Sequence, residues 1–314
     1  MTESTKHFRE AKTGKTTGFF NFKVGNLQLT AITDGQQTVK RIRPVLTPES
    51  SPQDLENIKR SEAVDKVLQD NFLPADEVHA ALNVLLIQHE DNLILIDTGF
   101  GSLGSDENGK LIENLLSAGI TANEITDIVL THAHIDHFGG LLDKDNHHRF
   151  PNAKVLMPRI EYDFWLSENP DFSKSRNPDN GPAITLARDT LRAIDDKLQF
   201  FKDGDILFDC MKVILAPGHT PGHSMLNIFS NGEELLHIVD IAYSAALVFP
   251  HPEWGATLDA DYPLAVTVRK KVFEELAKTG KRAFAYHLHW PGLGFVRKKE
   301  AAYEWVAQTF ATPQ

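Results

Sequence analysis

Four side chains able to hold a metal ion fall within six residues of this chain. The stretch Thr131-His132-Ala133-His134-Ile135-Asp136-His137-Phe138-Gly139-Gly140 brings together His132, His134, Asp136 and His137. Neutral imidazole is the commonest side-chain metal ligand near neutral pH. A carboxylate among imidazoles suits zinc, manganese, cobalt or iron. The alternation H-x-H-x-D-H is poorly explained as a merely solvated polar loop. A hydrolytic metal site also needs a position left open for water, and a two-metal site needs further ligands with an oxygen shared between the ions. Downstream candidates are His219 and His223 in Ala216-Pro217-Gly218-His219-Thr220-Pro221-Gly222-His223, then Asp240, His287 and His289.

Such chemistry needs no nucleophilic side chain, and the sequence offers no convincing Ser-His-Asp set. The single cysteine, Cys210, lies away from every motif and reads as structural. One cysteine also excludes an intramolecular disulfide.

The candidates all follow apolar runs. Ile128-Val129-Leu130 reads as a buried strand ending at the first histidine, and a strand at 212–215 precedes His219. The run 235–239 ends at Asp240 and the run 283–286 at His287; Leu93-Ile94-Leu95-Ile96 ends at Asp97-Thr98-Gly99. Between them the pattern predicts strands at 22–24 and 27–32 joined by Gly25-Asn26 and closed by Asp34-Gly35, and further strands at 82–87, 154–157 and 225–229. Helices are expected at 110–118, 160–167, 184–198 and 264–278, with Gly119 and Gly280 as stops. The Pro-, Asn- and Asp-rich stretch 168–183 reads as a long loop, a type that is often functional. Residues 47–72 are charged and helix-permissive, suited to a lid or a dimer arm. Residues 1–18 read as a flexible arm ahead of one domain over 19–314.

The 314-residue chain is 41% apolar and 24% charged, ordinary for a globular protein. Its net charge of −11 opposes a nucleic-acid groove and an anionic membrane surface. No window approaches the roughly 18 apolar residues of a membrane span, and the first fifteen residues carry no apolar leader. The expectation is a cytoplasmic protein acting on a small molecule, with no nucleic acid and no membrane.

The succession H-x-H-x-D-H, PGHTPGH, strand-terminal Asp240 and late His287 resembles the metallo-β-lactamase superfamily over about residues 20–300. The resemblance implies an α/β fold, a four-layer αββα sandwich, with a dinuclear site on one edge. It implies His132, His134 and His219 on one divalent ion, Asp136, His137 and His287 on a second, and Asp240 between them. The ions are expected to be zinc, with manganese, cobalt and iron also compatible. Asp97 would orient a ligand, His223 would be structural, and His287 rather than His289 would ligate.

Within the superfamily, Asp163-Phe164-Trp165 and His287-Leu288-His289-Trp290-Pro291-Gly292-Leu293-Gly294-Phe295 resemble methyl parathion hydrolase-like enzymes, with Phe295 standing where they often carry histidine. That likeness implies Trp165, with Phe164, in the substrate pocket. The spacing Asp240-Ile241-Ala242-Tyr243 resembles N-acyl homoserine lactonases and implies Tyr243 on the substrate carbonyl oxygen. A homodimer is implied as well. The expected function is metal-dependent hydrolysis, by a hydroxide shared between two ions, of a lactone, ester or phosphotriester. Asp136 would ligate and relay a proton. The alternatives are a di-iron redox protein, disfavoured by His134 where such proteins carry glutamate, and a nuclease, disfavoured by the acidic balance.

Overall fold

Apolar residues occupy successive positions in the central strands, so both faces of each strand must be covered. The computed structural model, which describes residues 18–40, 42, 62–177 and 179–310, meets that demand with two seven-stranded sheets packed face to face. The first runs in the order β1 (Phe19–Val24), β2 (Leu27–Lys40), β3 (Glu77–His89), β4 (Asn92–Ile96), β5 (Asp127–Val129), β6 (Lys154–Pro158), β7 (Leu198–Phe201). The second comprises β8 (Ile206–Leu207), β9 (Met211–Leu215), β10 (Ser224–Ser230), β11 (Glu233–Val239), β12 (Arg282–Ala285), β13 (Leu293–Lys299) and β14 (Ala302–Ala307), side by side in sequence order.

Adjacent residues of one strand serve opposite layers, as the pleat requires. Leu85, Ile87, Ile94, Ile96 and Val129 face the second sheet and pack with Met211, Val213, Leu226 and Phe284. Their neighbours Leu86, Leu95 and Ile128 turn outward onto α2 (Leu111–Ser117) and α5 (Gly181–Ala193) through Leu111, Leu115, Ala187 and Leu191. On the other side Leu236, Ile238 and Ala283 meet Val272, Phe273 and Leu276 of α7 (Tyr262–Thr279) and Val64 and Leu68 of α1 (Glu62–Asp70). The result is the expected αββα sandwich. Each fully buried aliphatic side chain contributes about 1.5–3 kcal/mol by leaving water.

Strand direction explains the site's location. β4 and β5 are parallel; β9 and β11 both run antiparallel to β10, and β12 is parallel to β11. The carboxyl ends of β4 and β5 in one sheet and of β9, β11 and β12 in the other therefore release their loops at a shared edge. Three short elements complete that edge: α3 (Ile135–Phe138), α4 (Arg159–Leu166) and α6 (Ala245–Val248).

Some expectations are corrected. Asp34-Gly35 does not close a strand: β2 continues to Lys40 through a bulge between Thr33 and Gly35. Asp34 leaves the ladder because its carboxylate accepts the backbone N–H groups of Phe100, Gly109 and Leu111. Gly35, at φ +117°, lies where a Cβ would meet Glu107 O at 2.2 Å. The helix expected over 184–198 begins at Gly181, with Pro182 in its first turn, and stops at Ala193, shortening the preceding loop. A 3-10 turn at Asp195–Lys197 then frees Leu198–Phe201 to pair with β6 as an edge strand. β8 and β14 were also absent from the sequence pattern. α7 begins two residues early because Asp261 caps it, accepting from Leu264 N, and ends at Gly280 in the left-handed region. Of the expected segment 47–72, residues 62–70 form α1; residues 43–61 and the arm over 1–17 lie outside the described residues. Among the described residues no helix is long and apolar enough to cross a membrane.

Candidate metal centre

Every metal-ligand candidate assigned from the sequence converges at the sheet edge. His132, His134 and His219 form one group, Asp136, His137 and His287 another, and Asp240 joins His132 and His137, with the ligand atoms of each group within 4.8 Å of one another. Asp240 Oδ2 lies 3.2 Å from His219 Nε2, 3.2 Å from His287 Nε2 and 3.8 Å from His132 Nε2. Its Oδ1 faces His137 Nε2 at 3.3 Å. Asp136 Oδ2 reaches His137 Nε2 at 3.6 Å and His287 Nε2 at 3.4 Å.

The donor set fits divalent cations. His137 Nε2 and Asp240 Oδ1 are buried and make no hydrogen bond despite their proximity. Buried polar atoms are otherwise nearly always paired. His132 Nε2 and His219 Nε2 approach to 3.2 Å, both aimed inward. Burial, reinforced by neighbouring imidazoles, holds His132 and His134 well below the usual histidine range, so both are neutral at pH 7 and able to ligate. Burial acts the same way on His219, but the Asp240 and Asp259 carboxylates overcome it and push it up to about 9. Asp240, Asp136 and Asp97 likewise outweigh burial at His137 and raise it. These carboxylates demand positive charge, whether protons or cations supply it.

The rear nitrogens are held by the fold. His137 Nδ1 meets Asp97 Oδ2 at 2.8 Å, while Asp97 Oδ1 accepts from Thr131 N at 2.8 Å. His287 Nδ1 lies 3.0 Å from Ala81 O, and His132 Nδ1 lies 3.1 Å from Thr131 Oγ1. Such contacts fix which nitrogen faces a metal. Asp97 and Val239 adopt φ of +63° and +48°, a conformation that costs a non-glycine residue about 1–3 kcal/mol. Both lie at the strand ends that deliver the cluster. His223 has Nδ1 on Ala216 O and accepts Asp240 N at Nε2, leaving no nitrogen for the centre. His289 is exposed and stands outside the cluster.

A cavity of about 350 Å³ opens onto this edge, lined by His134, Asp136, His219, Asp240 and His287 together with Phe100, Ile135, Phe138, Trp165, Phe172 and Leu186. Trp165 sits with its ring 5.9 Å from that of His134. Phe164 stands behind it, packed on Trp165 and Phe172 rather than in the cavity lining. Tyr243 lines the cavity, but its hydroxyl donates to Asp259 Oδ1 at 2.8 Å and lies 2.8 Å from His219 Nδ1. Cys210 is buried in the core between the sheets, and burial pushes its thiol up to about 11.

Sequence reasoning assigned no role to two buried carboxylates. Glu161 Oε1 accepts Ala133 N and Trp165 Nε1, and its Oε2 accepts Gly222 N. One side chain thus ties the His132–His137 loop, the His219 turn and the cavity wall together. Asp259 holds His219 from behind. Nothing local announces either role: Glu161 is one acid in a short amphipathic helix, and Asp259 stands in an Asp259-Ala260-Asp261 element that resembles methyl parathion hydrolase-like enzymes without pointing to His219.

Residues 81–287 match the family model described as the metallo-beta-lactamase superfamily. The chain belongs to that superfamily. Among solved structures it is similar to "AidC, a Dizinc Quorum-Quenching Lactonase", at 37% identity and TM-score 0.87, covering 94% of this chain and 99% of that one. It is also similar to hydrolase AbOPH, at 28% identity and TM-score 0.82, covering 95% and 100%. Among curated proteins, N-acyl homoserine lactonase AttM of Agrobacterium fabrum is 28% identical over 144 residues, 44% of this chain and 49% of that protein. The chain therefore spans about half the length of that relative.

Proposed function

We propose that this chain is a metal-dependent hydrolase that opens N-acyl homoserine lactones. The observation carrying the reading is one juxtaposition: a largely apolar cavity, suited to an acyl tail, whose lining includes the ligand cluster. The likeness to AidC over nearly the whole chain supports the same substrate class.

In this reading His132, His134 and His219 would hold one cation, Asp136, His137 and His287 a second, and Asp240 both. We assign zinc, which accepts this mixture of imidazole and carboxylate. Bound there, the pair would supply Lewis acidity and lower the pKa of water toward neutrality. The protein's own groups do the rest. The cavity's apolar wall grips the acyl chain and strips water from the carbonyl, which strengthens every charge interaction there. Asp136 is part-exposed and lines the cavity, so its carboxylate can take a proton from the attacking water and return it to the departing alkoxide. One C–O bond forms, the ring C–O bond breaks, and a hydroxy acid leaves. Tyr243 would have to release Asp259 before its hydroxyl could reach a substrate carbonyl.

The same centre suits aryl esters and phosphotriesters, which an apolar cavity also admits. Metal analysis followed by parallel assays on acyl homoserine lactones, aryl esters and methyl parathion separates these. Hydrolysis of the lactones at the highest kcat/KM is expected; zinc-loaded protein inert toward them overturns the assignment.

A further inference from the structure

The buried loop behind His219 does more than close the cavity. Asp259 is fully buried, and one of its oxygens carries both of its hydrogen bonds: Oδ1 lies 2.8 Å from His219 Nδ1 and 2.8 Å from the Tyr243 hydroxyl. The other oxygen, Oδ2, makes none and faces the Arg269 guanidinium at 3.7 Å. Arg269 is itself 1% exposed, an unusual place for a cation, and its guanidinium is committed to backbone carbonyls: Nε donates to Ile241 O beside Asp240, and Nη1 donates to Trp254 O and Pro252 O of the loop. Gly255 leaves room for the pair, since a Cβ there would sit 3.0 Å from Asp259 Oδ2 and 3.3 Å from Arg269 Nη1. The loop is also pinned to the histidine turn by its backbone, with Ala260 N donating to His219 O and Asp261 N to Gly218 O.

We propose that Asp259, seated by Arg269, is a positioning residue that fixes His219 with Nε2 inward and anchors the Tyr243 hydroxyl through the same oxygen. His219 Nδ1–H donates to Oδ1, which leaves the Nε2 lone pair aimed at the centre. The phenol shares that acceptor, so the metal side and the cavity wall are held by one carboxylate. Arg269 supplies the buried countercharge that makes this site for a carboxylate tolerable. The inference rests on the metal-centre reading above, and its test is made on binding rather than turnover.

Zinc dissociation constants of the full chain are measured by chelator competition for wild type, Asp259→Ala, Asp259→Asn and Tyr243→Phe, with the melting temperature of each metal-free protein recorded alongside. Removing a group that orients a ligand typically weakens metal binding 10–100-fold, and that loss is expected for Asp259→Ala. Asparagine keeps an acceptor oxygen and is expected to restore affinity to within several-fold of wild type. Tyr243→Phe is expected to leave zinc affinity near wild type. Should the alanine variant not fold, nitrogen-15 NMR of zinc-loaded wild type reads the same point: the His219 Nδ1 proton is expected in a strong hydrogen bond. Wild-type zinc affinity in Asp259→Ala overturns the proposal, as does equal weakening in the alanine and asparagine variants or zinc ligation through Nδ1. None of these readouts requires hydrolysis, so a failure of the lactonase reading is seen separately in the substrate assays.

Discussion

Glu161 Oε2 accepts the backbone N–H of Gly222 at 2.7 Å, and the two backbones are so close that a Cβ on Gly222 would lie 2.6 Å from Glu161 N. This contact crosses from a helix of one layer to the turn that carries His219. Glutamine at 161 offers one acceptor oxygen where two are used, leaving a buried N–H unpaired at about 1–3 kcal/mol. Glu161→Gln is therefore expected to lower stability by that amount in chemical denaturation and to lower zinc content. Gly222→Ala, which forces the turn away from Glu161, is expected to do at least as much.

Removal of a proposed ligand is expected to have a different signature. His134 and Asp136 lie at the edge of the cluster, part-exposed and lining the cavity. Replacing either with alanine is expected to abolish hydrolysis while the far-ultraviolet circular dichroism and the metal-free melting temperature stay near wild type. Retained turnover with normal metal content would sink the assignment.

On the proposed lactonase reading, acyl-chain preference is expected to follow from the cavity wall. Each methylene moved from water into an apolar site is worth about 0.8 kcal/mol, near fourfold in kcat/KM. A lactone series is expected to improve by about that factor per carbon until the cavity of about 350 Å³ is filled. Leu186→Trp, which fills part of the wall, is expected to depress long-chain lactones strongly and short-chain ones little. Equal effects on both would show that the tail binds elsewhere.

Asp34 predicts a pH dependence remote from the candidate metal centre. Burial lifts its carboxyl from 3.8 to about 6, against the opposing hydrogen bonds from Phe100, Leu111 and Gly109. Between those values the folded chain binds more protons than the unfolded one, so this residue's contribution falls as pH rises. It is fully present below about pH 4 and lost through pH 6, about 3 kcal/mol in all. Asp34→Asn removes the titration. The stability difference between wild type and variant, measured at equal metal loading, is expected to grow on acidification from pH 7 to pH 4; a constant difference refutes it.

Much of this protein was legible in the chain itself. The ligand types and their spacing in 132–137 are local, and the apolar runs before Asp97, His132, His219, Asp240 and His287 declare strand ends without reference to anything distant. The resemblance those motifs carry reached the αββα fold. What stayed hidden depends on contacts between segments far apart in sequence. The bulge at Asp34 is decided by backbone donors from residues 100–111, and the edge strand β7 by a neighbour more than forty residues earlier. Glu161 is an ordinary helical acid until Ala133 and Gly222 close on it; Asp259 is a loop acid until His219, Tyr243 and Arg269 surround it. The sequence alone determined which side chains could bind metal, because that is a property of residue type and short spacing. Tertiary structure decided which buried groups hold them, because a carboxylate's role is set by the donors that packing brings within about 3 Å.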